Sequence, residues 1–362
     1  MGVEVKLTDR ELPASPAFIK FLAQTLRDRS WHSEVWADQR SEALSYSNDD
    51  LERQQCFEAA ELVMQAASGR GWVARAYELL YCLMVGNLEP LWELQRRFRF
   101  VAIIGIARSG GSYLTAELYR AIGIAPDRVP GALAHDGFPD IGPFVLAPGG
   151  NSWTTSLKTM AEYLVMVEIF FDSRAVHEGK IVVPKKLTKG TYAGDFIQHS
   201  LGEDAEYLLT VRHPVAACVS TYEKSSGLPA NGRFAVRSNI EGWCQRDLLH
   251  TGCGAQELVR MDYFDAYLRY WEHYHLCLVT SGFASAAKLR VVAFGDAALR
   301  SVAQSYHDRY DSARRAGEFH TSDRARRLHP EWIARAEPSI QRVTAAWRRV
   351  GMSFPADIDT CW

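Results

Sequence analysis

The chain alternates short, unbroken apolar runs with longer segments in which apolar residues recur every three or four positions. Residues 100–106 form the plainest short run, and Leu114, Leu118 and Ile122 then share one helical face. Residues 206–211 repeat the strand pattern. Pro214 follows where a first helical residue tolerates proline, and residues 216–224 read as helix. Further strands are expected at 180–183 and 289–294, and helices at 157–171, 192–201 and 262–280, the last rich in tyrosine. Strands alternating with helices predict an α/β fold, a central parallel sheet with helices on both faces. Residues 1–95 read as a helical N-terminal extension and 96–362 as the α/β domain. In the extension, an apolar-periodic run opens near Asp49 and stops at Gly69, and a second covers 72–85. A packed lobe, a substrate lid and an oligomer interface stay open for it. Residues 125–152, with Pro126, Pro130, Pro139, Pro143 and Pro148, read as a surface loop that shapes a site.

The first strand meets Arg108-Ser109-Gly110-Gly111-Ser112, and a helix starts at once. Strand, small-residue loop and helix make an anion cradle, because backbone N–H groups converge there and the helix start adds its dipole. Gly105, Gly110 and Ser112 fit the spacing of the ATPase loop G-x-x-x-x-G-K-[ST], but Gly111 takes the place of the lysine that reaches the β- and γ-phosphates. Arg108 supplies a cation three places earlier. The loop therefore suits a 5′-phosphate without a γ-phosphate.

Arg212 ends the 206–211 strand and Ser220 follows eight residues later, two turns into the next helix. At 1.5 Å per residue the two Cα atoms lie about 12 Å apart, so guanidinium and hydroxyl can grip one phosphate.

Together the segments resemble the sulfotransferase family that uses 3′-phosphoadenosine 5′-phosphosulfate (PAPS). Its 5′-phosphosulfate loop, [K/R]-S-G-[TS]-[TS]-[YW]-L, stands here as Arg108-Ser109-Gly110-Gly111-Ser112-Tyr113-Leu114. Its 3′-phosphate motif, R-x-P with a serine eight residues on, stands as Arg212-His213-Pro214 and Ser220. Gly111 departs from the usual Thr or Ser and removes one hydroxyl, and Ala107 stands where proline is frequent. The likeness spans roughly residues 98–350. It implies a P-loop-like sulfotransferase fold, PAPS as donor, 3′-phosphoadenosine 5′-phosphate as product, two separated basic pockets clasping opposite ends of the nucleotide, and no required metal. It places Tyr113 near the adenine, and it implies a basic segment closing over the 3′-phosphate, for which Arg314 and Arg315, and after them Arg324, Arg326 and Arg327, are the candidates. Many relatives carry a lysine just after the strand that corresponds to 180–183, which leaves Lys185 and Lys186 open for the sulfate.

Sulfuryl transfer is an in-line displacement, so positioning and charge stabilisation dominate. Arg108 and Lys185 or Lys186 are the candidate cations. For the base, the Lys-Thr-His of phenol-sulfating relatives is missing. His135 or Asp136, in the loop after the first helix, can serve, and a base there contributes about 10²–10⁴ in rate. Glu168 is a third choice. His273 and His275 do not share a helix face, so they read as structural.

Basic and acidic residues number 41 and 43, leaving no global field to attract nucleic acid. No apolar run is long enough to span a bilayer, which needs about 20 residues. The N-terminus has neither a secretory signal nor a myristoylation pattern. Seven scattered cysteines without C-x-x-C or metal spacing predict reduced thiols in the cytoplasm. The expected activity is sulfation of a small-molecule acceptor, with the oligomeric state open. A P-loop nucleotide kinase or ATPase and a non-catalytic nucleotide-binding protein are the alternatives.

Overall fold

The computed structural model describes residues 11–28, 49–141, 153–224, 257, 260–310, 313–322 and 324–362. Trp31, Trp36, Pro143, Pro148, Cys244 and Cys253 lie outside the described residues. Helices α1 (Pro16–Arg27), α2 (Asp49–Gln65), α3 (Ala67–Val85) and α4 (Glu89–Arg97) come first, and α4 runs directly into strand β1 (Phe98–Gly105). There follow α5 (Gly111–Ala121), the short α6 (Gly131–Ala134), α7 (Trp153–Phe171), β2 (Val176–His177), β3 (Lys180–Lys186), α8 (Gly194–Leu201), β4 (Glu206–Val211) and α9 (Pro214–Lys224). The described part closes with α10 (Tyr263–Thr280), β5 (Leu289–Ala293), α11 (Asp296–Arg309), α12 (Arg324–Leu328) and α13 (Pro330–Arg349).

The sheet order is β2-β3-β1-β4-β5. β3, β1, β4 and β5 run parallel, but the edge strand β2 is antiparallel to β3. The sheet is therefore mixed rather than wholly parallel: β2 and β3 are joined by the tight turn at Glu178-Gly179, both with positive φ, and a hairpin can only pair its strands antiparallel. Seven of the eight residues of β1 are buried, and so are five of the six of β4. Successive strand residues face opposite sides, so such runs mean that both faces of the sheet are covered.

β3 is longer than its apolar run suggests and carries Pro184, Lys185 and Lys186 inside the strand. Pro184 is tolerated because β2 pairs only with Ile181 and Lys180, leaving a ladder on one side at the proline. The helix expected to stop at Gly69 ends earlier, at Gln65, and Gly69 lies inside α3. A Cβ at Gly69 would stand 2.1 Å from the Val63 carbonyl oxygen, so this glycine permits the tight α2–α3 junction. Buried side chains of the N-terminal helices, among them Phe18, Leu22, Val63, Leu79 and Leu91, are continuous with the core around the sheet.

Candidate functional site

Because β1, β3 and β4 are parallel neighbours, their C-terminal ends lie along one edge of the sheet, with the chain stepping from β1 out to β3 and back across to β4. A ligand crevice is expected at such a reversal. The loop after β1 is fixed from beneath. Ser109 is 1 % exposed, and its hydroxyl donates to the Ile106 carbonyl at 2.5 Å and meets Thr210 Oγ1 of β4 at 2.7 Å. The Gly105 N–H donates to the Tyr274 hydroxyl of α10 at 3.1 Å. Gly110 has φ of 89°, and a Cβ there would stand 2.7 Å from Leu299 of α11. The positive φ favours glycine at this position, and a side chain would also have to displace the Leu299 methyl.

Arg108 has φ of 69°, rare for a residue with a side chain. Its carbonyl accepts from Arg212 Nη1 at 2.7 Å, and its own Nε donates to Ser220 Oγ at 3.0 Å. The two sequence motifs therefore touch, and the two pockets expected to be separate form one polar cluster. Arg212 is 9 % exposed, with its guanidinium 4.1 Å from the centre of the Phe294 ring, and its carbonyl accepts from Trp271 Nε1 at 3.1 Å. Burial lowers the pKa of the neighbouring His213 to about 4, and the charges of Arg326 and Arg212 add to the effect.

The pleat of β3 sends its two lysines apart. Lys185 is wholly buried, and its ammonium donates to the carbonyls of Ala132 at 2.8 Å, His135 at 2.6 Å and Phe138, while it lies 5.0 Å from the Tyr163 ring centre. Lys186 points to the loop after β1. A Cβ at Gly111 would stand 3.3 Å from Lys186 Cε, so the missing side chain of Gly111 makes room for a lysine from the next strand. Lys186 Nζ pairs with Asp136 Oδ2 at 2.5 Å and lies 3.3 Å from His135 Nε2, which is 3.2 Å from Ser112 Oγ.

Asp136 also accepts from the Thr188 backbone N–H and hydroxyl, each at 2.7 Å. Burial pushes its carboxyl up, but the charges of Lys186 and His135 and these hydrogen bonds outweigh it and hold the group far below the usual carboxylate range. Asp136 thus stays ionised and fully engaged. An ammonium can only donate, so a hydrogen bond from Lys186 to His135 requires the neutral ring accepting at Nε2, the form that would also suit a general base.

Tyr113 lies at the opposite side of the loop. Its hydroxyl donates to the Gly317 carbonyl at 2.7 Å, and its ring is 4.8 Å from that of Phe319. Arg314 and Arg315, just before this segment, are exposed. Glu168 is not near the cluster: it pairs with Arg75 of α3 at 3.3 Å. His275 is fully buried between Trp271 and Trp347, and burial alone lowers its pKa to about 3. Among the described residues no group of three or more His, Cys, Asp or Glu could hold a metal ion, and no helix is long and apolar enough to cross a membrane.

Thr188, Tyr274, Glu117 and Gly317 belong to the framework of this cluster and carry no local signal in the sequence. They are recruited from elements up to 200 residues apart by the fold.

No family model and no curated protein sequence matches the chain. Among solved structures it is similar to a sulfotransferase from Alicyclobacillus acidocaldarius, at a TM-score of 0.38 and 15 % identity over 72 % of this chain and 98 % of that one. A likeness so remote assigns no residue a role.

Proposed function

We propose that the chain is a PAPS-dependent sulfotransferase acting on a hydroxyl or amine of a small molecule. The reading rests above all on the convergence of Arg108, Arg212 and Ser220 at one glycine-bearing strand–helix turn, with Lys186 laid across Gly111. The loop amides, Arg108 and Ser112 cradle the 5′-phosphosulfate, and Ser109 and Gly110 give the loop its shape. Arg212 and Ser220 take the 3′-phosphate, and Arg314 and Arg315 are the basic residues that would close over it. Tyr113 borders the adenine. The acceptor oxygen attacks sulfur in line, the bond from sulfur to the bridging phosphate oxygen breaks, and the proton passes to His135 Nε2. Lys186 neutralises charge on the leaving oxygen, where a fixed cation in a water-poor site is worth most. Asp136 fixes Lys186, and Lys185 fixes the backbone of the His135 loop rather than touching the sulfate. Cys56, Cys82 and Cys361, free thiols among the described residues, suit a reducing cytoplasm.

The test is a thermal-shift comparison of 3′-phosphoadenosine 5′-phosphate with ATP·Mg²⁺, followed by labelled-sulfate transfer to an acceptor panel. Stabilisation by the first nucleotide and transfer abolished by His135→Ala are expected. Stabilisation by ATP·Mg²⁺ alone would favour a kinase or ATPase, and nucleotide binding without transfer to any acceptor a non-catalytic role.

A further inference from the structure

Helix α3 bears a largely exposed apolar stripe, tied to the body through the Tyr77 hydroxyl, which donates to the Pro13 carbonyl at 2.7 Å. Of the large apolar side chains exposed among the described residues, Tyr77, Tyr81, Met84 and Val85 share this helix, at 51 %, 65 %, 61 % and 53 % exposure. Met64 lies just before it and Trp92 just after. The opposite side of α3, with Gly69, Val73, Ala76, Leu79 and Cys82, is buried against the body. The exposed side reads Ala67, Arg70, Ala74, Tyr77, Tyr81, Met84, alternating steps of three and four. That is the spacing of a two-helix seam.

The stripe is polar in size. Its N-terminal half is small or flat: Ala67, Gly71 and Ala74, with nothing within 4 Å of a Cβ built on Gly71. Its C-terminal half is large. A parallel copy would set tyrosine against tyrosine and alanine against alanine. An antiparallel copy, with its two-fold axis between Ala74 and Tyr77, sets Tyr77 on Ala74, Tyr81 on Arg70 and Gly71, and Met84 on Ala67. Arg70 is already held flat by hydrogen bonds to the carbonyls of Met64 at 2.8 Å and Gln65 at 2.9 Å, which offers a guanidinium face for the tyrosine ring. Such self-complementarity is what a closed two-fold interface demands.

We propose that a second copy of this chain docks here, α3 against α3 and antiparallel. The half-exposed rings and their apolar neighbours offer roughly 500 Å² per copy, at an aromatic side chain's 150–250 Å². This is below the roughly 800 Å² per partner of a standard interface, so the dimer is concentration-dependent rather than permanent. It is independent of the reaction.

The full chain is to be run in sedimentation velocity over a concentration series, then as Tyr81→Glu, Ala74→Cys and Ala67→Cys variants. The native chain should pass from monomer to dimer. Tyr81→Glu should stay monomeric with an unchanged circular-dichroism spectrum, since its ring is exposed. A short bismaleimide should link Ala74→Cys, near the axis, above the background of the unsubstituted chain. It should not link Ala67→Cys, whose copies stand about 25 Å apart at 1.5 Å per residue. A chain monomeric at every concentration, a dimer indifferent to Tyr81→Glu, or equal linking of both cysteine variants overturns the proposal.

Discussion

Arg212 donates to the carbonyl oxygen of Arg108 at 2.7 Å, so a residue at the end of β4 holds the shape of the loop after β1. Arg108 sits at φ of 69°, a conformation that costs a residue with a side chain about 1–3 kcal/mol and persists only where its surroundings impose it. Arg212→Ala removes that restraint and a cation together. A charged hydrogen bond contributes about 1.5–3 kcal/mol, so affinity for 3′-phosphoadenosine 5′-phosphate should fall at least tenfold by calorimetry. Arg212→Lys keeps the charge without the planar fork and should recover only part of it. Unchanged binding in Arg212→Ala would remove this residue from the nucleotide site.

The Lys186 ammonium lies between Asp136 and His135, with its stem over Gly111. Lys186→Met should lower kcat by about 10²–10³ with a smaller change in donor affinity, the pattern of a group that acts mainly in the transition state. Gly111→Ala crowds the Lys186 stem at 3.3 Å and should reduce kcat in the same sense but less. A loss confined to KM in either variant would instead make Lys186 a simple ground-state binder.

How much of this could be read beforehand follows from how local each feature is. The β1 loop, its glycines and the Arg212–Ser220 pair are short-range patterns, and their elements appear close to where the apolar runs place them. The division of labour between Lys185 and Lys186 was not legible, because it depends on β3 continuing through Pro184, which depends in turn on β2 stopping short. Glu117 carries no signal in the sequence, because its partners His307 and Gly317 come from α11 and the 313–322 segment, far along the chain.

Glu117 is 1 % exposed, and its carboxylate accepts from His307 Nε2 at 3.0 Å, the Gly317 N–H at 3.1 Å and Arg120. Tyr113, one turn earlier on α5, takes the Gly317 carbonyl. Two side chains at i and i+4 thus secure both polar groups of one residue, two positions after Arg315. Glu117→Gln should loosen this strap. Trypsin cleavage after Arg314 and Arg315 should become faster, and nucleotide affinity should drop several-fold. Equal cleavage rates with intact affinity would show that the strap holds without Glu117.

Lys185 makes activity and stability respond to pH in opposite directions. Burial brings its pKa down to about 7; the Asp136 charge opposes the shift and the Lys186 charge adds to it. The ammonium serves three carbonyls with three N–H groups, whereas the neutral amine has only two. As pH rises through about 7, one carbonyl of the 132–138 loop loses its donor, His135 loses its fixed position, and the transfer rate should fall. The sign for stability is the reverse. The folded value lies below the ordinary 10.5, so between about 7 and 10.5 the unfolded chain binds the extra proton, and this group's contribution to stability grows with pH across that window. Rate profiles and melting curves recorded in parallel check both signs. Lys185→Met, close in volume, should abolish this alkaline fall in rate while lowering the rate at every pH. An unchanged alkaline limb in that variant would assign the limb to another group.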